Sequence, residues 1–204
     1  MKRTIGFCLV SALWLSGCMS PIAPNEDKDA LYERFHGKYE VVSSRSDIPV
    51  DVNFDGKASA DLVQEIRGLK QPRDHYLQIG IYGKEKRVSS SGLTFTQWWP
   101  EQYIFLRESK RDWQWEPIAY DPSLLVNYAM QGATRLFSFS PDLTAITVHD
   151  SDSADKSVRW KKPLLVRIIG EHTIEIVNKK VLYTREGTKE VIITTVYERY
   201  TMVT

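Results

Sequence analysis

The chain has 204 residues, 27 of them Lys or Arg and 26 Asp or Glu, for a formal net charge of +1. So even a balance implies no basic face, which argues against nucleic acid as a partner. The two cysteines, Cys8 and Cys18, are too few for a Cys-based zinc or iron–sulfur site.

At the N-terminus Lys2 and Arg3 precede an apolar run, Ile5 to Leu15, too short to span a bilayer as a permanent helix. The run ends in Leu15-Ser16-Gly17-Cys18. A positive start, a short apolar stretch, small residues and a Cys in this order resemble the lipobox of bacterial lipoproteins. The resemblance implies cleavage before Cys18, a diacylglycerol on its sulfur and an acylated amine. Two or three acyl chains, at about 0.8 kcal/mol per buried methylene, make a stable anchor. Residues 1–18 are then a leader, and with Cys8 removed the mature chain has no disulfide. Met19 stands where many enteric lipoproteins carry an Asp for inner-membrane retention, so the resemblance implies an outer-membrane anchor in the cell envelope. Residues 19–30, with two prolines and clustered charge, read as a flexible tether. Residues 31–204 make one domain.

Leu31 to Phe35 fits one helical turn, and Gly37-Lys-Tyr-Glu-Val-Val-Ser-Ser alternates as a strand. The next stretch, Asp51-Val-Asn-Phe-Asp-Gly-Lys-Ala-Ser-Ala-Asp61, sets acidic and amide side chains at alternate positions before a Gly that permits a sharp turn. It resembles the calcium loop of EF-hand and dockerin-type proteins. The resemblance implies ligands from the side chains of Asp51, Asn53 and Asp55, the carbonyl of Lys57, and Ser59, with Asp61 the nearest carboxylate to the family's closing Glu, whose place is taken by Leu62. The other reading is an Asx-rich turn whose side chains bond their own backbone and cap the following helix. Leu62, Val63, Ile66 and Leu69 lie on one helical face, with Ser59 placed to cap it, Asp61 in its first turn, and Gly68 and Pro72 to end it.

From His75 the period becomes two. Strands are expected at Leu77–Ile81, Leu93–Thr96, Tyr103–Leu106, Thr134–Ser140, Ala145–His149, Leu164–Ile169, Thr173–Val177, Val181–Thr184 and Val191–Tyr200, with hairpin turns at Pro141-Asp142, Asn178-Lys179 and Glu186-Gly187. The expected fold is all-β: an antiparallel barrel of about 8–10 strands with one short helix after the first strand, or else an open β-sandwich. Gly37-Lys-Tyr39 at the first strand and Arg199 in Val-Tyr-Glu-Arg-Tyr at the last resemble lipocalins and their calycin relatives. Those proteins close the barrel by packing an Arg across the ring of a Gly-x-Trp motif. The resemblance implies that Tyr39 and Arg199 are the closing pair.

Catalytic signatures are sparse. His36, His75, His149 and His172 are scattered without zinc spacing, and no Gly-x-Ser-x-Gly elbow occurs. Glu101, Glu108 and Glu116 read as a solvated face rather than a glycosidase pair. A non-catalytic role is therefore expected, without redox or organic cofactor. Trp98, Trp113 and Trp115 are the candidate ligand-binding residues: Trp113-Gln-Trp115 would lie on one face of a strand, lining a cavity or making a stacking platform, or else filling the core. Two functions remain open. One is an anchored barrel holding a small apolar or glycan ligand; the other is a structural or assembly lipoprotein with a solid core that meets another envelope protein.

Overall fold

The computed structural model describes residues 28–69, 76–82, 92–150 and 159–204. The expected leader, Cys18 and the tether as far as residue 27 lie outside the described residues, as do Pro72, His75 and the acidic loop from residue 151 to 155. Among the described residues two helices and ten strands run in the order α1 (Lys28–Phe35), β1 (Gly37–Val50), β2 (Ser59–Asp61), α2 (Leu62–Glu65), β3 (Leu77–Ile81), β4 (Leu93–Leu106), β5 (Arg111–Asp112), β6 (Val126–Phe139), β7 (Ile146–Val148), β8 (Leu165–Ile168), β9 (Thr173–Thr184) and β10 (Gly187–Thr201).

Eight of the strands form the wall of an antiparallel barrel, each beside its chain neighbour in the order β1, β3, β4, β6, β7, β8, β9 and β10, with β10 returning to β1. β2 and β5 are short additions to β1 and β4. The wall has one seam, between β7 and β8. There an isolated Ala145–Arg167 bridge and a 2.8 Å bond from Ile168 N to the Thr144 carbonyl stand in for a ladder. Next-neighbour pairing needs only short turns, and closure removes most of the edges that an open sheet would expose.

The unbroken pairing around the wall, bridged at its seam, makes a barrel rather than an open sandwich, and polar contacts cross its interior. Gln97 on β4 donates to Asn178 on β9 at 3.0 Å and to the Tyr197 hydroxyl on β10 at 3.3 Å, although β4 neighbours neither strand. Lys180 on β9 donates to Glu101 on β4 across the same space. Around them one apolar cluster includes Phe35, Tyr39, Ile79, Phe95 and Ile176, and a second includes Val50, Leu62, Ile66, Leu69, Trp99, Leu182 and Ile193. Each aliphatic or Phe side chain so buried stabilises the fold by about 1.5–3 kcal/mol. Period-two burial is plain on β10, where Val191, Ile193, Thr195 and Tyr197 are all buried. Burial pushes the Tyr197 hydroxyl up to about 12.

β1 and β10 are neighbours, with Tyr39 directly opposite Arg199. The guanidinium, however, does not stack on the ring; the cation–π contacts among the described residues join other pairs. Arg199 instead donates to the carbonyls of Glu33 (2.8 Å) and His36 (3.1 Å), tying β10 to the end of α1, where cationic groups suit the exposed carbonyls. The Tyr39 hydroxyl donates to the Phe35 carbonyl at 2.7 Å, and burial raises its pKa, an effect only partly offset by Arg199. Gly37 has φ +145, and a Cβ there would lie 2.3 Å from the Thr201 carbonyl oxygen, so the first residue of Gly-x-Tyr must be Gly.

Several expectations are corrected. α1 begins at Lys28, so the last three residues of the expected tether are helical, and α1 at eight residues is longer than α2. α2 is a single turn whose N-cap is Asp61, not Ser59: Asp61 Oδ1 accepts from Val63 N at 3.1 Å, while Ser59 Oγ accepts from Asp61 N at 3.0 Å. Ile66 is already extended, yet it is buried with Leu69, because the apolar positions are held by the core rather than by a continuing helix. The expected turn at Asn178-Lys179 lies inside β9. Asn178 is paired with Ile193 there and turned inward to Gln97, so ladder and interior hydrogen bond override local turn preference. Likewise 93–96 and 103–106 belong to one strand, β4, continuous through Pro100.

Candidate functional site

Three connections meet at one end of the barrel: the 51–58 loop after β1, the long link from β4 to β6, and the β9–β10 turn at Arg185-Glu186. Arg185 N donates to the Asp51 carbonyl (2.9 Å) and Arg185 Nη1 to the Phe54 carbonyl (3.3 Å), which fixes the loop against the turn.

Within the loop the polar side chains turn on their own backbone. Asp51 Oδ2 accepts from Gly56 N (2.8 Å), Asn53 Oδ1 from Asp55 N (2.9 Å) and Asp55 Oδ1 from Lys57 N (2.8 Å). Asp61 caps α2 and also accepts from Gln64. The bonds of Asn53, Asp55 and Asp61 to the N–H two residues on are Asx-turn bonds, while Asp51 reaches across the loop to Gly56. Among the described residues no group of three His, Cys, Asp or Glu is disposed to hold a metal ion. One oxygen stands apart: Asp51 Oδ1 is buried without a partner.

Beside this loop a cleft of about 740 Å³ opens, lined by the loop residues Val52 to Phe54, the α2 region, Pro100, residues 120–126, Tyr128 and Tyr183. Its wall is aromatic. The Phe54 ring centroid lies 6.0 Å from that of Tyr120 and 5.9 Å from that of Tyr183, and Tyr120 and Tyr183 are 6.3 Å apart. The hydroxyls of Tyr183 and Tyr128 face protein. Tyr183 OH accepts from Asp121 N at 2.7 Å; Tyr128 OH donates to the Val52 carbonyl at 3.2 Å and accepts from Gln102 Nε2 at 3.2 Å. Burial raises both, Tyr128 to about 12. Gln102 also pins the wall, bonding both the N–H and the carbonyl of Tyr183. Phe54 holds φ +64, a left-handed backbone that an aromatic residue adopts only when its surroundings impose it.

The acid in the wall is Glu65. It is 4% exposed, and its Oε2 accepts from Val52 N (2.9 Å) and Asn53 N (3.4 Å). Burial raises its pKa, the two N–H groups oppose that, and Asp51 and Asp55 nearby raise it further, leaving it above the ordinary value. Sequence reading passed over Glu65. A signal was there: it lies three residues after Leu62 and one before Ile66, an acid at the margin of an apolar helical face.

The three tryptophans are placed elsewhere. Trp113 and Trp115 follow β5 rather than lying on it, and Trp115 has φ +64, so they share no strand face. Trp113 is fully buried with Ile104 and Tyr183. Trp115 lies under Arg159 (5.1 Å) and Lys161 (5.3 Å). It borders, with Glu101 and Lys180, an opening of only about 10 Å³, room for a single water. Trp98 lies across Gly132, where a Cβ would come 2.4 Å from its Cδ1. None of the three lines the 740 Å³ cleft.

Comparison of the chain with protein-family models, with curated proteins and with solved structures finds no match.

Proposed function

We propose that the protein is a lipid-anchored binding protein of the cell envelope, held at the outer membrane through Cys18, that takes a small, largely apolar, ring-bearing ligand at the loop end of its barrel without transforming it. The observation that carries this reading is the cleft. Its volume falls in the range of small-molecule sites, and its wall combines aromatic faces with a few polar groups. On this reading the ligand would meet Phe54, Tyr120, Tyr128 and Tyr183, which line the cleft, rather than the tryptophans. A sugar ring would use the same faces.

Titration with N-phenyl-1-naphthylamine, a neutral apolar fluorophore, is expected to saturate. Tyr120→Ala and Leu124→Asp should each weaken binding about tenfold, equivalent to about 1.4 kcal/mol, while melting temperature stays close to wild type. Non-saturable binding, or equal affinity in all three proteins, refutes the cleft. Anchoring is checked separately: wild-type protein should enter the detergent phase on phase separation and Cys18→Ala should remain in the aqueous phase, and equal partitioning removes the envelope argument.

A second reading, docking to another envelope protein, is favoured by one feature. Tyr128, Met130 and Leu136 lie at even positions along β6 and are 41%, 48% and 40% exposed. Alternate residues share a sheet face, so Tyr128 and Met130 are neighbours on it, with Leu136 farther along beyond Gly132 and Thr134.

A further inference from the structure

We infer that the cleft selects a ligand carrying a positively charged nitrogen on an apolar body, an organic ammonium or guanidinium, and that Glu65 is the residue that receives the charge. This rests on the reading of the cleft as a ligand site and adds the chemical class of its occupant.

The fold leaves one carboxylate of the cleft wall half-satisfied. Glu65 is only 4% exposed, and both of its hydrogen bonds fall on Oε2. Oε1 has no hydrogen-bond partner among the described residues, and the side chain lines the cleft. An oxygen in the cleft wall that no protein donor or counter-charge meets is open to whatever occupies the cleft, and a carboxylate there is best met by a cation or a proton. The neighbouring charges sharpen the demand. Asp51 and Asp55 lie close enough to act on Glu65, Asp51 Oδ1 is itself buried and unpartnered, and Asp121 adds another acid to the lining. Arg67 is the one basic residue of the lining among the described residues, and it is exposed to solvent.

The rest of the wall selects the kind of cation. Phe54, Tyr120, Tyr128 and Tyr183 offer π-faces and ring edges, since the hydroxyls of Tyr128 and Tyr183 are committed to protein partners. Aromatic rings attract a desolvated ammonium or guanidinium and favour its apolar substituents. A hard divalent ion would demand six or more oxygens, whereas the aromatic faces of this wall offer none.

The test uses the full chain and three probes that share one body: 4-phenylbutylamine, 4-phenylbutanol and 4-phenylbutyrate, titrated calorimetrically at neutral pH, with calcium chloride alone as a fourth titrant. The amine should bind about tenfold or more tightly than the alcohol, and the carboxylate weakest. Glu65→Gln, which keeps an acceptor for Val52 N and Asn53 N, should bring the amine down to the affinity of the alcohol. The preference in the wild-type protein stands as a test even where the variant folds poorly. Equal binding of amine and alcohol, a preference that survives Glu65→Gln, or heat from calcium without preference for the amine would overturn the assignment while leaving an apolar cleft. If none of the three probes binds, the cleft reading fails with it.

Discussion

Lys180→Met is expected to destabilise the barrel by about 3–5 kcal/mol, because it leaves Glu101 charged and alone in the interior. Both side chains are buried, Lys180 at 8% exposure and Glu101 at 4%, and they meet across the barrel between strands that are not neighbours. Burial lowers the Lys180 pKa; Glu101 works against that, and Lys161 adds to it. The ammonium also lies 5.3 Å from the centroid of the Trp99 ring. Desolvating two charges costs about as much as their attraction returns, so the pair as a whole contributes little net stability. The double variant Glu101→Leu, Lys180→Met should therefore recover most of the loss, to within about 1 kcal/mol of wild type or above it. Urea unfolding of the four proteins of this cycle gives the coupling directly. Single variants no worse than the double would mean that water reaches the pair. Recovery in the double variant would show that the pair adds little to holding the barrel together.

The contrast between what local pattern could show and what it could not follows from the same interior. Alternation along β3, β4 and β10 was readable because one face of each strand is apolar and the period is two. The neighbourhood of β1 and β10 was readable from Gly37, Tyr39 and Arg199, since closing a meander brings its first and last strands together. The partner of Arg199 was not readable, because α1 had been credited with a single turn and so offered no visible row of end carbonyls. Asn178 was misread as a turn for a related reason. Its amide is used by Gln97, eighty-one residues away in sequence, and no local window contains that bond. Asp51, Asn53 and Asp55 were singled out correctly as loop-forming side chains, but the spacing that brings oxygens toward a metal also brings them toward the loop's own N–H groups. Glu65 was lost between two patterns, following one motif and sitting at the edge of another. The aromatic wall escaped because its rings come from four separate segments of chain that only the closed barrel brings together.

Trp113→Ala should cost about 3–5 kcal/mol, as removal of a fully buried large aromatic does, and lower the melting temperature by roughly 6–20 °C for a domain of this size. The side chain is 0% exposed and packs edge-on to Tyr183, with ring centroids 6.3 Å apart. Its Nε1 donates to the Glu116 carbonyl at 2.8 Å, and its backbone N–H donates to the Ile104 carbonyl at 2.8 Å. Its own carbonyl accepts from Arg159 Nη2 at 2.6 Å, while Arg159 Nη1 reaches the Gln102 carbonyl at 2.7 Å. One indole thus seats the segment after β5 against β4, and that segment receives a buried guanidinium. Trp113→Phe refills part of the volume but leaves the Glu116 carbonyl without the indole donor, so about 1–3 kcal/mol of the loss should remain. Trp98→Ala should cost less than Trp113→Ala, since Trp98 is half-exposed on the outer face over Gly132. Thermal melts of the three variants, read beside their affinity for a neutral apolar probe, separate a packing role from a binding one. A ligand-contacting Trp113 would lose affinity at an unchanged melting temperature; a core Trp113 loses melting temperature first, and affinity only as Tyr183 in the cleft wall shifts with it.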